Sequence, residues 1–194
     1  PCWNYKISYI NLFYHKNKIR KEIKQNAYIN EVIISRKLPS AVIIKVEERK
    51  IAYLLEYAGS YVYLDKNGYI LEINTEKLEL PILQGASTLT ENFIVGKRLL
   101  TEDLEKLATV QKIMELARIS EIDNLITRID IENKENLKLI FESKEKVAYL
   151  GDNSNLNTKI LTIKSILEKE EGKAGEIFVN IDLNKEYPVF RERV

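Results

Sequence analysis

The spacing of apolar residues predicts a short helix and two strands near the start of the chain. Apolar residues four positions apart among charged ones indicate an amphipathic helix over residues 16–26. Residues 28–37 are rich in β-branched side chains and residues 41–48 alternate apolar and charged positions, so both are predicted to be strands. Leu38-Pro39-Ser40 supplies the turn between them, because proline fixes φ and restricts the residue before it.

The strongest local signal is a hairpin in the following segment. Residues 51–57 and 60–65 are strand-like, and Lys66-Asn67-Gly68 separates the second of these runs from Tyr69-Ile70-Leu71. Asn-Gly tolerates the positive φ that a tight turn between antiparallel strands requires. The sequence therefore predicts antiparallel strands on either side of Asn67-Gly68.

A long helix and a further set of strands are predicted in the second half. Thr101 can accept hydrogen bonds from free N–H groups, and Glu102 and Asp103 favour the positive end of a helix dipole, which indicates a helix from Thr101 to about Ile119. The remaining predicted elements are strands over 125–131, 137–141 and 147–150, a helix over 155–171 and a final strand over 177–183. The predicted fold class is α+β, a small unit followed by a larger antiparallel β domain with two flanking helices.

Charge changes sign near residue 50. Residues 1–50 carry eleven basic and four acidic side chains, a net charge of +7, whereas residues 51–194 have a net charge of −6. A basic end fits an anionic neighbour such as nucleic acid or a membrane surface. We favour the solvated face of a helix instead, because no aromatic residues are interleaved with these charges to stack bases. The change predicts a boundary between two domains, 1–50 and 51–194.

Few residues carry the chemistry of a catalytic or metal site. One cysteine, Cys2, excludes an intrachain disulfide and a Cys-based zinc cluster, and one histidine, His15, excludes a site of several imidazoles. Gly96-Lys97 resembles the end of a phosphate-binding loop, but Glu91 and Arg98 stand where that motif requires Gly and Ser or Thr. No cofactor is predicted.

The carboxylates also favour structural roles. Glu47 and Glu48 are neighbours on a predicted strand and point to opposite faces, so they cannot act together as an acid–base pair. Asp65 and Asp152 adjoin predicted turns, where an Asp side chain accepts hydrogen bonds from backbone N–H groups. A binding or scaffolding protein is therefore favoured over an enzyme.

A colinear series of motifs resembles the FtsQ family of bacterial cell-division proteins, called DivIB in Gram-positive bacteria. The resemblance extends from about residue 16 to residue 190. It begins with Val32-Ile33-Ile34-Ser35-Arg36-Lys37-Leu38-Pro39 and Val42-Ile43-Ile44-Lys45-Val46-Glu47-Glu48-Arg49, and continues with Tyr63-Leu64-Asp65-Lys66-Asn67-Gly68-Tyr69-Ile70, Leu80-Pro81-Ile82-Leu83-Gln84-Gly85, Val147-Ala148-Tyr149-Leu150-Gly151, Lys159-Ile160 and Ile181-Asp182-Leu183.

This resemblance implies a division-septum protein without enzymatic activity. Members of the family have a short cytoplasmic tail, one membrane helix, a small POTRA domain and a larger extracytoplasmic β domain. Their partners are the bitopic proteins FtsL and FtsB (DivIC), which control septal peptidoglycan synthesis. The expected location is the cytoplasmic membrane at the septum, with this segment outside the cytoplasm. Pro1–Tyr14 lacks a convincing first strand, so we expect a truncated or divergent POTRA-like domain, and the membrane helix is absent from the sequence.

The resemblance also implies where a partner binds. In the family a small partner adds a strand to the sheet edge formed by the last strands, and Ile181-Asp182-Leu183 matches the closing motif. An edge strand offers unpaired N–H and C=O groups to a partner. The alternative is a core strand that ends at Leu183 and is followed by a frayed tail. The predicted partner-binding residues are Leu183, Asn184, Lys185, Glu186, Tyr187, Val189 and Phe190.

A second set of matched residues lies at the expected domain junction. Turn geometry and packing between the domains are favoured there over direct partner binding, with Glu47 or Glu48 expected to pair with a nearby Arg. The predicted junction residues are Arg36, Leu38, Pro39, Glu48 and Arg49. Two other functions remain open: another POTRA-containing protein of secretion or outer-membrane assembly, and a cell-wall enzyme that uses carboxylates such as Asp65 and Asp152.

Overall fold

The computed structural model describes residues 16–37, 41–183 and 185–193 and contains three α-helices among them. No helix in these ranges is both long and apolar enough to cross a bilayer. The helices are α1 (Lys16–Ile23), α2 (Thr101–Ile119) and α3 (Leu156–Lys169). The strands are β1 (Ile29–Lys37), β2 (Ala41–Glu48), β3 (Ile51–Tyr57), β4 (Ser60–Asp65), β5 (Ile70–Asn74), β6 (Ile82–Gln84), β7 (Arg128–Asp130), β8 (Leu137–Phe141), β9 (Lys146–Gly151), β10 (Gly175–Phe178) and β11 (Val189–Glu192).

Strands β1 and β2 form a small antiparallel sheet with α1 on one face. Val32, Ile34 and Ile44 are buried on that face, and Ile19 and Ile23 of α1 pack against them. The helix, strand and strand predicted for this segment are confirmed. The predicted turn at Leu38 and Pro39 lies outside the described residues, as does Pro1–Tyr14, which is predicted to lack a convincing first POTRA strand.

The other nine strands form one sheet in the order β11-β10-β9-β8-β7-β6-β3-β4-β5. Its pairings are antiparallel except for three parallel ones, β9 with β10, β6 with β7 and β3 with β6. The α+β class is confirmed, but the large sheet is mixed and not purely antiparallel. Two of these pairs, β6 with β7 and β9 with β10, are parallel because α2 and α3 connect their strands, and a helix crossover of that length allows the second strand to return in the same direction. Strands β3 and β6 are connected through β4 and β5.

Helices α2 and α3 cover one face of the large sheet. Alternate residues of β7 to β10, including Ile129, Leu139, Ala148 and Ile177, are fully buried beneath them. A smaller cluster of Leu54, Tyr63 and Ile82 lies on its own, with Leu78 and Leu80 packed against it. The large core therefore fixes the position of β10, next to the end of the sheet.

The last strands differ from the prediction. The predicted strand 177–183 ends at Phe178, although Ile181 and Leu183 continue its alternation. After Val179 and Asn180 the chain turns, and Asp182 C=O accepts hydrogen bonds from the N–H groups of Lys185 and Glu186. The chain then returns as β11, antiparallel to β10. Val189–Glu192, which lies within the tail after Leu183, is thus a strand of the sheet and not a frayed end.

Candidate partner-binding edge

Strand β11 is the outermost strand at one end of the large sheet. It pairs with β10 from Gly175 opposite Glu192 to Phe178 opposite Val189. Arg193 N–H donates to the carbonyl oxygen of Ala174 at 2.9 Å, so this amide points inward. Amides alternate in direction along a strand, and the N–H and C=O groups of Phe190 and Glu192 consequently point to the open side.

Proline limits how far this open edge extends. Pro188 lies two residues before Phe190, where the alternation would direct another N–H group outward, but proline has no N–H group. The described part of β11 therefore offers two outward amides, those of Phe190 and Glu192, and their carbonyl oxygens. A short edge next to a proline is a common natural protection against uncontrolled strand pairing, yet it leaves room for one short partner strand.

Phe190 holds β11 against the core. Its ring lies over Gly175, where a Cβ atom would come within 2.8 Å of two ring carbons. On the other side, the ammonium group of Lys146 is 5.8 Å from the ring centroid. Lys146 is almost fully buried and donates to the carbonyl oxygens of Lys144 and Lys173, and burial lowers its pKa. Phe190 thus acts as the apolar anchor of β11 itself.

Aromatic and charged side chains on the opposite face position Arg191. The rings of Tyr149 and Phe178 stack with centroids 4.9 Å apart, and the Arg191 guanidinium lies 5.0 Å from the Phe178 centroid. Glu176 accepts a hydrogen bond from Tyr149 Oη at 2.9 Å and lies 3.6 Å from the Arg191 guanidinium. The hydrogen bond to Glu176, with burial, raises the pKa of Tyr149. The Arg191 side chain is therefore held over β10.

The predicted partner-binding residues lie in several environments. Tyr187 is 92% exposed and Val189 is 51% exposed. Leu183 and Phe190 are half-buried and pack against the core. Lys185, also exposed, pairs with Asp182 at 2.9 Å. Glu186 is exposed, and Asn184 lies outside the described residues.

Four further residues support this edge but were not among the residues predicted from the sequence. They are Gly175, Tyr149, Glu176 and Phe178, which support β11 from β9 and β10. The sequence contains a weak indication of the aromatic pair. Tyr149 and Phe178 each occupy a half-buried position in a strand of alternating burial.

At the junction of the two sheets, Arg49 pairs with Asp65. The Nη1–Oδ2 distance is 2.7 Å, and both side chains are largely buried. The expectation was different, since Glu47 or Glu48 was predicted to pair with a nearby Arg. Glu48 and Arg36 are exposed. Leu38 and Pro39 belong to the part of the chain that the structure does not describe.

Asp65 and Asp152 have the structural roles predicted for them. Asp65 Oδ1 accepts the N–H groups of Asn67 and Tyr69, which closes the predicted hairpin turn. Asp152 Oδ1 accepts the N–H and hydroxyl of Ser154 and the ammonium of buried Lys159. Within residues 16–37, 41–183 and 185–193, no group of three His, Cys, Asp or Glu side chains could hold a metal ion.

The contacts of Asp152 predict a pH dependence of stability. The hydrogen bonds from Ser154 and Lys159 lower its pKa to about 2, below the ordinary value of 3.8. A carboxylate with a lowered pKa contributes stability above its unfolded pKa and loses it as pH falls towards the folded value. We expect the urea concentration at the midpoint of unfolding to decrease when the pH is lowered from 5 to 2.5, and to decrease less in Asp152→Asn. Asp123→Asn is the control and should keep the wild-type difference; equal differences in all three proteins would contradict the prediction.

Comparison with known proteins decides the family. A model described as the C-terminal domain of cell division protein FtsQ/DivIB matches residues 52–184, and a model described as the FtsQ-type POTRA domain matches residues 8–49. The chain belongs to the FtsQ/DivIB family. The fold class and the POTRA-type first unit predicted from the sequence are thereby confirmed.

Two DivIB proteins align over most of the chain, and an FtsQ protein aligns over a shorter part of it. Cell division protein DivIB of Clostridium tetani is 26% identical over 183 residues, which is 93% of this chain and 68% of the relative. DivIB of Clostridium acetobutylicum is 26% identical over 180 residues, 91% of this chain and 71% of the relative. Cell division protein FtsQ of Rickettsia bellii is 35% identical over 60 residues, 31% of this chain and 22% of the relative. The role is therefore in cell division.

Proposed function

We propose that the protein is a non-enzymatic scaffold of the division septum that captures a bitopic partner of the FtsL or FtsB/DivIC type on the outer edge of β11. The observation that carries this proposal is the open edge itself, with the N–H and C=O groups of Phe190 and Glu192 directed away from the sheet. In this proposal the chain acts outside the cytoplasm, anchored by one helix in the cytoplasmic membrane, and helps to control septal peptidoglycan synthesis through its partner.

Strand addition suits this edge because the backbone groups supply affinity and the alternate side chains supply specificity. Val189 and Arg191 project on one face of β11 and Phe190 and Glu192 on the other, since successive side chains alternate. A partner strand with an apolar residue beside Val189 and an acidic residue beside Arg191 would complement the first face. Exposed Tyr187, just before the strand, adds an aromatic contact at the entrance.

We also propose that the two sheets correspond to two domains, 1–50 and 51–194. The support is that the small sheet and α1 have their own apolar cluster, formed by Val32, Ile34 and Ile44. The large sheet has a separate core under α2 and α3. Partner binding by β11 then belongs to the second domain alone.

A proline at an outward amide tests strand addition directly. In Glu192→Pro the lost N–H points to solvent, so the pairing of β10 and β11 should remain, whereas the bond to a partner strand cannot form. We expect Kd for the extracellular segment of a DivIC-type protein to rise about tenfold, which corresponds to about 1.4 kcal/mol. The measurement is a calorimetric titration with each variant.

Two matched variants separate backbone from side-chain effects. Glu192→Ala removes the same side chain but keeps the amide, and should bind within about twofold of wild type. Arg191→Pro removes an inward amide and should weaken β11 itself. If Glu192→Pro and Glu192→Ala bind the partner equally well while both remain folded, the partner does not add a strand at β11.

A further inference from the structure

Two residues connect the small sheet to the large one, and the first of them is tied to a hairpin. Arg49 and Lys50 join β2 to β3. The Arg49 guanidinium donates to Asp65 at 2.7 Å and lies 3.6 Å from the centroid of the Tyr69 ring. Asp65 is the carboxylate that closes the turn between β4 and β5, through the N–H groups of Asn67 and Tyr69. The connection is therefore bonded to the turn between β4 and β5.

A second contact joins the two sheets at another point. Tyr28, just before β1, donates its hydroxyl to Glu72 of β5 at 2.7 Å. The carbonyl oxygen of the same Tyr28 accepts the N–H of Arg49 at 2.6 Å. Burial and the hydrogen bond to Glu72 raise the pKa of Tyr28 to about 12, so the hydroxyl remains a proton donor at all physiological pH values. Tyr28 thus contacts both the connection and the edge strand β5.

Apolar packing does not join the sheets in the same way. Among the described residues, each of the three apolar clusters lies entirely on one side of Arg49 in the sequence. A crevice of about 280 Å³ separates the sheets beside the connection, with Glu47, Lys50 and Lys66 among its lining residues. Polar contacts, which two side-chain substitutions can remove, therefore carry the attachment.

We propose that Arg49–Asp65–Tyr69 and Tyr28–Glu72 form a two-point latch that fixes the orientation of the small sheet relative to the large one. A single contact next to a two-residue connection leaves rotation about that contact free, and a second contact at a different strand removes it. Opening the latch releases the orientation without unfolding either sheet, because none of the five side chains belongs to the apolar clusters. This inference does not depend on partner binding at β11.

Distance measurements between spin labels test the latch in the full chain. Nitroxide labels are placed on cysteines introduced at exposed Lys45 of β2 and exposed Lys112 of α2, in a background with Cys2→Ser. We expect one narrow distance distribution in the otherwise unchanged chain. In Tyr28→Phe/Arg49→Gln the distribution should become at least twice as broad or acquire a second maximum, while the circular dichroism spectrum is retained.

The chain offers a matched control and a milder variant. Tyr149→Phe/Arg128→Gln removes a tyrosine hydroxyl bound to the Glu176 carboxylate and an arginine paired with Glu56 and Glu142, all after Arg49 in sequence. It should leave the distribution narrow. Should Tyr28→Phe/Arg49→Gln fail to fold, Glu72→Ala, which removes the acceptor of the Tyr28 hydroxyl, must still broaden the distribution. A narrow distribution in every folded latch variant, or equal broadening in the control, would overturn the proposal.

Discussion

Asp103→Ala is expected to lower the free energy of unfolding by about 3–5 kcal/mol, the range for removing one member of a buried charged network. The Asp103 side chain has no exposed surface. Its Oδ1 accepts the N–H of Ser87 and its Oδ2 accepts the N–H of Thr88, each at 2.7 Å. The ammonium group of buried Lys106 lies 3.7 Å from Oδ1. Truncation leaves the two amides without their acceptor and the buried Lys106 cation without its buried carboxylate.

Denaturant unfolding of three variants checks this expectation. Asp103→Asn keeps an acceptor oxygen and should lose less stability than Asp103→Ala. Glu102→Ala is the matched control, because Glu102 is the adjacent acidic residue, also reaches Ser87 and Lys106, but is 66% exposed. It should cost no more than about 1 kcal/mol. A loss in Asp103→Ala as small as that in Glu102→Ala would show that the buried network contributes little.

Asp103 also shows where local sequence patterns stop being informative. The sequence predicts α2 from Thr101 to Ile119, and the structure confirms those bounds. Thr101 was expected to cap the helix, but the cap residue is Leu100, without a side-chain hydrogen bond. Asp103 was expected to act through the helix dipole, yet its partners lie fifteen and sixteen positions earlier in the chain. Periodicity predicts a helix from its own residues, whereas a contact across a long loop has no local signature.

The same distinction applies to the candidate binding edge. Alternation over 177–183 correctly predicts a strand that starts near Ile177, but the strand ends at Phe178 because the chain must turn to return as β11. Val189–Glu192 is four residues long with mostly exposed side chains, so it has no apolar pattern of its own. Only the resemblance to a family indicates a binding role for this segment. Its place in the sheet depends on β10, which supplies the neighbouring edge.

Gly175→Val is expected to detach β11 and to reduce partner capture by about a hundredfold or more. Gly175 pairs with Glu192, and a Cβ atom at this position would overlap the carbonyl oxygen of Arg191 and the ring of Phe190. A carbonyl oxygen in a strand ladder cannot move aside without breaking the ladder. Strand β10 should persist, because Ile177 is fully buried and β10 also pairs with β9.

Amide exchange and binding together measure this outcome. The N–H groups of Val189 and Arg191 face β10 and should be protected in the wild type and exposed in Gly175→Val. Valine favours strands, so a loss of β11 cannot be attributed to low strand propensity. A hundredfold rise in Kd for a DivIC-type extracellular segment corresponds to about 2.7 kcal/mol.

Gly172→Ala is the control for glycine replacement as such. Gly172 has φ +78° and no atoms near a Cβ position, so alanine there should cost about 1–2 kcal/mol of backbone strain but leave β11 in place. If Gly175→Val keeps both the amide protection of β11 and partner binding, then Arg191 and Phe190 do not lie too close to Gly175 to admit a larger side chain. If β11 detaches while the partner still binds with wild-type affinity, the partner uses another surface, because an edge that no longer exists cannot accept a strand.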